Sequence, residues 1–244
     1  MLKGNYQKFY NEIISSVSKK FIYTDKLHIL AYGTDASFYR LLPQIVIKAQ
    51  NAYHVESILK LATKLNLPVT FRAAGTSLSG QAISDSILIV TARTWTKATL
   101  SEDKSTISLE PSITGANANA LLAPYGRKIG PDPASINAAM IGGIAANNAS
   151  GMCCGVSQNS YKTLKSMKII FSDGTVLDTA SPSSKVSFLK SHENFVEQLS
   201  KFSKEVKEDE ELSAKIAKKF KIKNTCGYSL NALIDFDDVF EVLQ

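Results

Sequence analysis

The sequence has few cysteines, and their arrangement excludes two classes of protein. The chain contains three, Cys153, Cys154 and Cys226. An odd number with one adjacent pair is not a disulfide framework, and no spacing suggests zinc ligands, so no metal site is predicted. A reducing compartment is the natural setting for such a chain, and we expect a cytoplasmic protein.

Long apolar runs are missing too. The longest uninterrupted apolar runs extend over only a few residues, as at 87–90, so no transmembrane helix is predicted. The first six residues lack the apolar core of a secretory signal. The chain has 28 Lys and Arg against 22 Asp and Glu, a net charge of +6, without polybasic runs. We therefore expect no nucleic-acid partner, and at most a peripheral contact with the inner face of a membrane.

The remaining composition is that of a globular protein. The 244 residues are 44% hydrophobic and 20% charged, which fits one large domain or two small ones. Residues 181–244 are rich in Lys, Asp and Glu and predict an exposed charged helix, whereas residues 136–154 carry no charge and predict burial or contact with a large ligand. Residues 235–241 show no closing turn or cap, which suggests that the chain is part of a longer protein.

The apolar periodicity predicts a mixture of helices and strands. Helices are predicted over 6–21, 52–66, 114–123, 141–148 and most of 188–223, strands over 44–49, 68–72 and 86–91, and hairpins over 97–111 and 164–178. The strand at 44–49 should bury Ile45, Ile47 and Ala49 on one face, and residues 44–72 should form a βαβ unit. Together these elements predict an α+β fold.

A loop of small residues follows the strand at 68–72. It reads Arg72-Ala73-Ala74-Gly75-Thr76-Ser77-Leu78-Ser79-Gly80. Small side chains let the backbone approach a ligand, consecutive N–H groups can form an anion nest, and hydroxyls add donors for phosphate oxygens. The alternative is an ordinary Gly/Ser surface loop. The sequence is neither a Walker A loop nor G-x-G-x-x-G.

A second segment combines rigid and small residues. Pro131-Asp132-Pro133 fixes a turn, and Ile141-Gly142-Gly143 opens a predicted helix that leads to Asn147, Asn148, Ser150 and Gly151. A buried, tightly packed helix would explain the small residues but not the three polar ones. Neither segment contains a histidine or a pair of carboxylates, so the site is suited to holding a large cofactor rather than to side-chain acid–base catalysis.

Together these segments resemble a known family. They are similar to the FAD-binding domain of the vanillyl-alcohol oxidase and p-cresol methylhydroxylase (PCMH) type, in its glycolate oxidase and D-lactate dehydrogenase branch. The resemblance covers roughly residues 30–235 and rests on five motifs in order. These are 35–43 (Asp-Ala-Ser-Phe-Tyr-Arg with Pro43), 72–80, 141–151, 169–175 and 223–230 (Lys-Asn-Thr-Cys-Gly-Tyr-Ser-Leu).

The resemblance implies two α+β subdomains with non-covalent FAD between them. It places the pyrophosphate at Ala73, Ala74, Gly75, Thr76, Ser77, Leu78 and Gly80. It places the flavin or its ribityl chain near Pro131, Asp132 and Pro133, and the pyrophosphate or ribityl chain near Ile141, Gly142 and Gly143. Asn147 belongs to the same motif, and Ser150, Gly151 and Gly155 are implied on the adenosine side.

The resemblance also implies an organisation into parts. These are a helical lead-in over 1–40, a first FAD subdomain over 41–112, a second over 113–235, and the start of a further part over 236–244. The substrate cap, the catalytic residues and any iron–sulfur clusters are expected beyond residue 244. Covalent attachment of flavin through Cys153 or Cys154 is conceivable, but structural packing is the favoured interpretation.

The function that the resemblance implies is oxidation of a D-2-hydroxy acid, D-lactate first and glycolate second, to the 2-keto acid. Hydride would pass to the flavin, and electrons then to a quinone, a cytochrome or an electron-transfer protein. Two alternatives stay open: a non-catalytic subunit that only holds FAD, and another reaction on the same fold, such as NADPH-dependent reduction of an enolpyruvyl sugar.

Overall fold

The computed structural model describes residues 2–91, 93–151, 155–222 and 229–244. These residues divide into two compact units. The first unit contains Met1–Ile129, Pro133–Ile144 and Ile170–Gly174, and the second contains Gly130–Asp132, Ala145–Ile169 and Thr175–Gln244. The predicted boundaries of the two FAD subdomains remain a prediction.

The first unit is built on a four-stranded sheet in the order β1-β2-β4-β3. Its strands are β1 (Ile22–Tyr23), β2 (Ile45–Ala49), β3 (Val69–Arg72) and β4 (Ile87–Thr91). Strands β2 and β3 both pair in parallel with β4, and β1 pairs antiparallel with β2. The predicted βαβ unit is therefore present as two parallel strands of one sheet, but the later strand β4 lies between them.

The hydrophobic core covers both faces of this sheet. Ile45, Ile47 and Ala49 are fully buried in one cluster, which confirms their predicted common face. Val46 is equally buried on the other face, against Leu88 and Val90. Strict alternation of buried and exposed residues is absent from β2 because both faces of the sheet are covered at this strand.

Two helices cover the larger core cluster. Helix α1 (Gly4–Ile13) ends eight residues before the predicted position, and a 3-10 turn follows at Lys19–Phe21. Helix α3 (Ala52–Lys64) is capped by Asn51, whose side chain accepts a hydrogen bond from the His54 N–H. The apolar spacing predicts that Val55, Ile58, Leu59, Ala62 and Leu65 form the buried stripe of this helix. The first four are buried, whereas Leu65, which follows the last residue of α3, is only partly buried.

The remaining elements of the first unit are short. They are α2 (Lys26–Ala31), which the sequence analysis missed, the antiparallel strands β5 (Ala98–Leu100) and β6 (Ile107–Leu109), and α4 (Gly115–Leu122). The predicted hairpin over 97–111 is confirmed. The side chain of Thr114 caps α4 by accepting a hydrogen bond from the Asn117 N–H. Helix α5 (Ile141–Ala146) follows the loop after α4, and its last two residues are assigned to the second unit.

The second unit is mainly helical. Its elements are α6 (Ser160–Thr163), the strands β7 (Lys168–Ile170) and β8 (Val176–Asp178), α7 (Pro182–Ser191), α8 (Glu193–Glu208), α9 (Glu210–Phe220), α10 (Ala232–Asp235) and α11 (Val239–Leu243). The charged helix predicted over 188–223 is divided at His192 and again at Asp209, which caps α9. The expectation that residues 235–241 lack a cap is wrong, because Asp238 caps α11. None of the described helices is long and apolar enough to span a membrane.

Candidate functional site

The first glycine-rich loop begins where β3 ends. Loop residues therefore lie at the carboxyl end of a parallel strand, where open α/β sheets usually bind ligands. Gly75 has φ +74° and Gly80 has φ +72°, both in the left-handed region that favours glycine. Leu78 is 78% exposed at the tip of the loop. Apart from Leu78, the residues between these two glycines have small side chains, which let a ligand approach the backbone of the loop.

Ser77 uses its hydroxyl inside the loop. Its Oγ accepts hydrogen bonds from the N–H groups of Ser79 and Gln81, at 3.2 and 3.3 Å. It donates to Oε1 of Gln81 at 3.1 Å. The hydroxyl predicted as a phosphate donor thus gives its single hydrogen to Gln81 and fixes the shape of the loop tip.

The two glycines that open α5 have different surroundings. The N–H of Gly142 donates to the carbonyl of Pro111 at 2.9 Å, and a Cβ on Gly142 would lie 2.9 Å from the Cβ of Pro111. Among the described residues, a Cβ on Gly143 would meet only the Cβ of Ala73, at 3.6 Å. Gly142 thus permits close packing on Pro111. Gly143 faces open space next to the first loop.

In the second unit, Asp132 and Gly151 are in direct contact. A Cβ on Gly151 would overlap both the carboxylate and the carbonyl oxygen of Asp132. Gly130 also packs closely on the carbonyl of Gln158, 2.5 Å from a Cβ position, and on Thr163. These glycines bring residues 130–132 against the segments that contain 151 and 158.

The segment after α5 is fixed by the first turn of α6. Asn148 is left-handed, with φ +40°, and its side-chain Oδ1 accepts a hydrogen bond from the Tyr161 N–H at 2.9 Å. The carbonyl of Ala149 accepts from both the N–H and the hydroxyl of Ser160. Burial, together with its hydrogen bond to Asp235, raises the pKa of the Tyr161 phenol, which therefore stays protonated and donates.

The side chain of Ser150 is a buried hydroxyl. It is 7% exposed, and its Oγ has no hydrogen-bond partner among the described residues. A buried hydroxyl without a partner is costly, and such groups in folded proteins usually find a partner in protein, water or ligand. This atom is therefore available to a polar group of a bound cofactor.

The predicted cofactor residues lie in both units. The first unit holds Ala73, Ala74, Gly75, Thr76, Ser77, Leu78, Gly80, Pro133, Ile141, Gly142 and Gly143, and the second holds Pro131, Asp132, Asn147, Ser150, Gly151 and Gly155. In the first unit the structure brings Ala73 and Gly143 together, and in the second it brings Asp132 and Gly151 together. Cys153, Cys154 and the motif at 223–228 lie outside the described residues.

The sequence analysis missed two residues that shape these segments. Pro111 receives Gly142, and Tyr161 holds Asn148. Neither contact has a sequence signal, because each joins positions more than ten residues apart through packing or a single hydrogen bond. Within the part of the chain that the structure describes, no group of His, Cys, Asp and Glu could hold a metal ion.

Comparison with known proteins gives a family match over most of this region. The family model described as FAD binding domain matches residues 43–180. Glycolate oxidase subunit GlcD of Escherichia coli is 32% identical over 136 residues, 54% of this chain and 27% of that protein. D-lactate dehydrogenase of Archaeoglobus fulgidus is 26% identical over 139 residues, 55% of this chain and 30% of that protein.

Solved structures share the fold. p-Cresol methylhydroxylase matches with a TM-score of 0.62 at 13% identity, over 75% of this chain and 37% of that chain. An alkyldihydroxyacetonephosphate synthase matches with a TM-score of 0.61 at 18% identity, over 74% of this chain and 38% of that chain. The two curated relatives named above are each matched over less than a third of their own length.

Proposed function

Because the chain belongs to the FAD binding domain family, we propose that it is the FAD-binding part of a dehydrogenase that oxidises a D-2-hydroxy acid. FAD is the cofactor of this family, and the PCMH-type α+β fold expected from the sequence is confirmed. When bound, FAD supplies the acceptor for the hydride of the substrate's α-carbon and the route for electrons to an external acceptor. The chain's own contribution is binding, orientation and electrostatics.

The observation that carries the proposal is that the matched range, 43–180, contains both glycine-rich segments. The residues present fit the cofactor. Loop 73–80 offers backbone and small side chains at the carboxyl end of β3, Gly143 leaves open space beside Ala73, and the buried hydroxyl of Ser150 lacks a protein partner among the described residues. Neutral N–H donors of this kind hold a diphosphate without a metal ion.

The relatives' names support the proposed substrate class. Glycolate, D-lactate and, for a third relative from Escherichia coli at 27% identity over 161 residues, D-2-hydroxyglutarate are all 2-hydroxy acids. We propose D-lactate as the substrate, with glycolate as the second choice and a quinone, a cytochrome or an electron-transfer protein as acceptor. The residues proposed to bind FAD are those named above in the two segments.

A second candidate function is a subunit that holds FAD without turnover. It is favoured by the absence of histidine from both described segments, which leaves no imidazole there to take a substrate proton. In this alternative, the groups that act on the substrate belong to another polypeptide.

A visible absorption spectrum tests the cofactor. The purified chain is measured before and after addition of FAD and desalting, and we expect retained flavin bands. A colourless protein that releases all added FAD would contradict the proposal.

The substrate class is tested next, by adding D-lactate, glycolate and D-2-hydroxyglutarate anaerobically to the FAD-loaded protein. Bleaching by one of them is expected from the dehydrogenase. Retained FAD without bleaching would favour the FAD-holding subunit instead.

A further inference from the structure

The guanidinium of Arg72 connects the two ends of the first glycine-rich loop. Arg72 is the last residue of β3, and its Nη1 donates to the carbonyl of Ala82, beyond the loop, at 3.3 Å. The same Nη1 donates to the carbonyl of Thr34 at 2.7 Å. Its Cζ lies 5.5 Å from the centroid of the Tyr32 ring, within range of a cation–π contact. One side chain therefore links residues 32–34, 72 and 82.

Asp35 holds the other backbone group of Ala82. Its Oδ2 accepts a hydrogen bond from the Ala82 N–H at 3.2 Å, and its Oδ1 accepts from the Ser37 N–H at 2.9 Å. Both polar backbone groups of Ala82 are thus bound by side chains, the carbonyl by Arg72 and the N–H by Asp35. The position of residue 82 determines where the loop ends.

The middle of the loop is attached to the same segment. The N–H of Ala36 donates to the carbonyl of Gly75 at 3.1 Å. A Cβ on Gly75 would lie 2.5 Å from Nη2 of Arg72, so the guanidinium occupies the space where a side chain at residue 75 would begin. Residues 34–36 therefore contact the loop at its centre as well as at its far end.

The electrostatics keep both groups charged. Partial burial by itself raises the pKa of the Asp35 carboxyl, but hydrogen bonds from Ser37 and Ala82 and the charge of Arg72 outweigh it and hold that pKa below its usual value. Burial lowers the pKa of the Arg72 guanidinium, and Asp35 and Tyr32 oppose that shift. An arginine remains protonated throughout the range in which proteins are studied.

From these contacts we infer that Asp35 and Arg72 are positioning residues for FAD. The two side chains, which we call the Asp35–Arg72 clasp, hold loop 73–80 in the conformation that directs its N–H groups at the diphosphate. The inference rests on the proposed function, since it assumes that this loop receives FAD. It gives the first residues of the motif at 35–43 a role, because they hold the loop in place.

Four variants test the clasp. Asp35→Ala removes both acceptors, and Asp35→Asn keeps only one carbonyl oxygen. Arg72→Lys keeps the charge but replaces the planar donor fork by a point charge. Asp85→Asn is the matched control, because Asp85 is an exposed carboxylate three residues beyond Ala82.

Two measurements are made on each variant: the dissociation constant for FAD, and amide hydrogen exchange without FAD. We expect Asp35→Ala and Arg72→Lys to weaken FAD binding by about ten- to a hundredfold. The affinity of Asp35→Asn should lie between those of the parent and Asp35→Ala, and Asp85→Asn should bind FAD like the parent. Exchange should accelerate at residues 73–82 and stay slow in β2 and β4.

Three results would overturn the clasp. The first is an Asp35→Ala variant that binds FAD as tightly as the parent. The second is full affinity in Arg72→Lys, which would mean that only the charge of residue 72 matters. The third is faster exchange throughout the sheet, which would indicate a general loss of stability. If Asp35→Ala does not fold, Asp35→Asn decides. Failure of the parent protein to bind FAD would contradict the proposed function instead, while exchange at 73–82 would still report on the clasp.

Discussion

Gly143 lies next to Ala73, so that a Cβ on Gly143 would stand 3.6 Å from the Cβ of Ala73. This is ordinary van der Waals contact, and it joins the helix α5 to the loop after β3 within the first unit. The two segments singled out in the sequence are thus neighbours in space at this point. The contact leaves room for a small side chain, which makes Gly143 a suitable position for testing the cofactor site.

Three substitutions at Gly143 should separate bulk from charge. Gly143→Ala should fold like the parent and bind FAD nearly as well, because its Cβ fits. Gly143→Asp should abolish FAD binding, since a carboxylate beside the diphosphate adds like-charge repulsion, while Gly143→Asn of the same size should retain part of the affinity. Flavin absorbance after desalting checks each variant. Full FAD retention by Gly143→Asp would show that the diphosphate does not lie here.

Gly75 is a less direct probe of the same site. It has φ +74°, and a Cβ there would contact the Arg72 guanidinium. Gly75→Ala should therefore destabilise the fold by about 1–2 kcal/mol from backbone strain, plus the displacement of Arg72. Gly126→Ala is the control, because Gly126 has φ +65° but open space around its Cβ position. Thermal unfolding should rank Gly75→Ala below Gly126→Ala, and equal midpoints would contradict the packing.

Gly151 should tolerate no side chain. Because a Cβ would overlap Asp132, Gly151→Ala should cost at least about 2 kcal/mol of unfolding free energy. Gly155→Ala is the control, since Gly155 has φ +54° and no atom of the part of the chain that the structure describes lies within 4 Å of its Cβ position, which leaves only strain of about 1 kcal/mol. Denaturant unfolding measures both. A smaller loss for Gly151→Ala than for Gly155→Ala would disprove this arrangement.

Ser150→Ala should have opposite effects with and without FAD. Removing a buried hydroxyl that lacks a partner should leave the FAD-free protein as stable or more stable, by up to about 1 kcal/mol. The same change should weaken FAD binding if the hydroxyl meets the cofactor. Ser112→Ala is the comparison for the first effect, because the Ser112 Oγ is also buried without a partner among the described residues. Unchanged FAD affinity in Ser150→Ala would remove this residue from the site.

His54 should make stability depend on pH. Burial lowers its pKa below the ordinary 6.5, and its Nδ1 accepts a hydrogen bond from the Gln50 N–H, so the folded protein favours the neutral ring. The stabilisation of the folded protein by this neutral ring is complete above pH 6.5 and is lost as the pH falls through the lowered pKa of His54. The unfolding temperature of the parent should drop more between pH 7.5 and pH 5.5 than that of His54→Gln. Parallel pH profiles would show that His54 does not titrate in this way.

Local patterns predicted most helices and strands, but not their limits. The buried stripe of α3 follows directly from spacing, and four of its five predicted residues are buried. Helix α1 stops at Ile13 although Val17 continues the apolar pattern and is fully buried. Periodicity shows which residues face the core, and it does not show whether the backbone between them stays helical.

The glycine pair at 142–143 illustrates the limit for the site. In the sequence the two residues are equivalent, and both were assigned to the cofactor. In the structure Gly142 is packed on Pro111 and Gly143 faces open space. The difference depends on a proline thirty-one positions earlier in the chain, which no local pattern connects to the pair.

The sequence by itself determined the residue chemistry of this protein: apolar spacing that builds an α+β core, and two runs of small residues that let backbone approach a ligand. Tertiary structure alone decided that β4 lies between β2 and β3, that Gly143 reaches Ala73, and that Asp35 and Arg72 hold Ala82. The reason is physical. Local conformation depends on neighbouring residues, whereas these contacts join distant positions whose pairing is set by the packing of the whole unit.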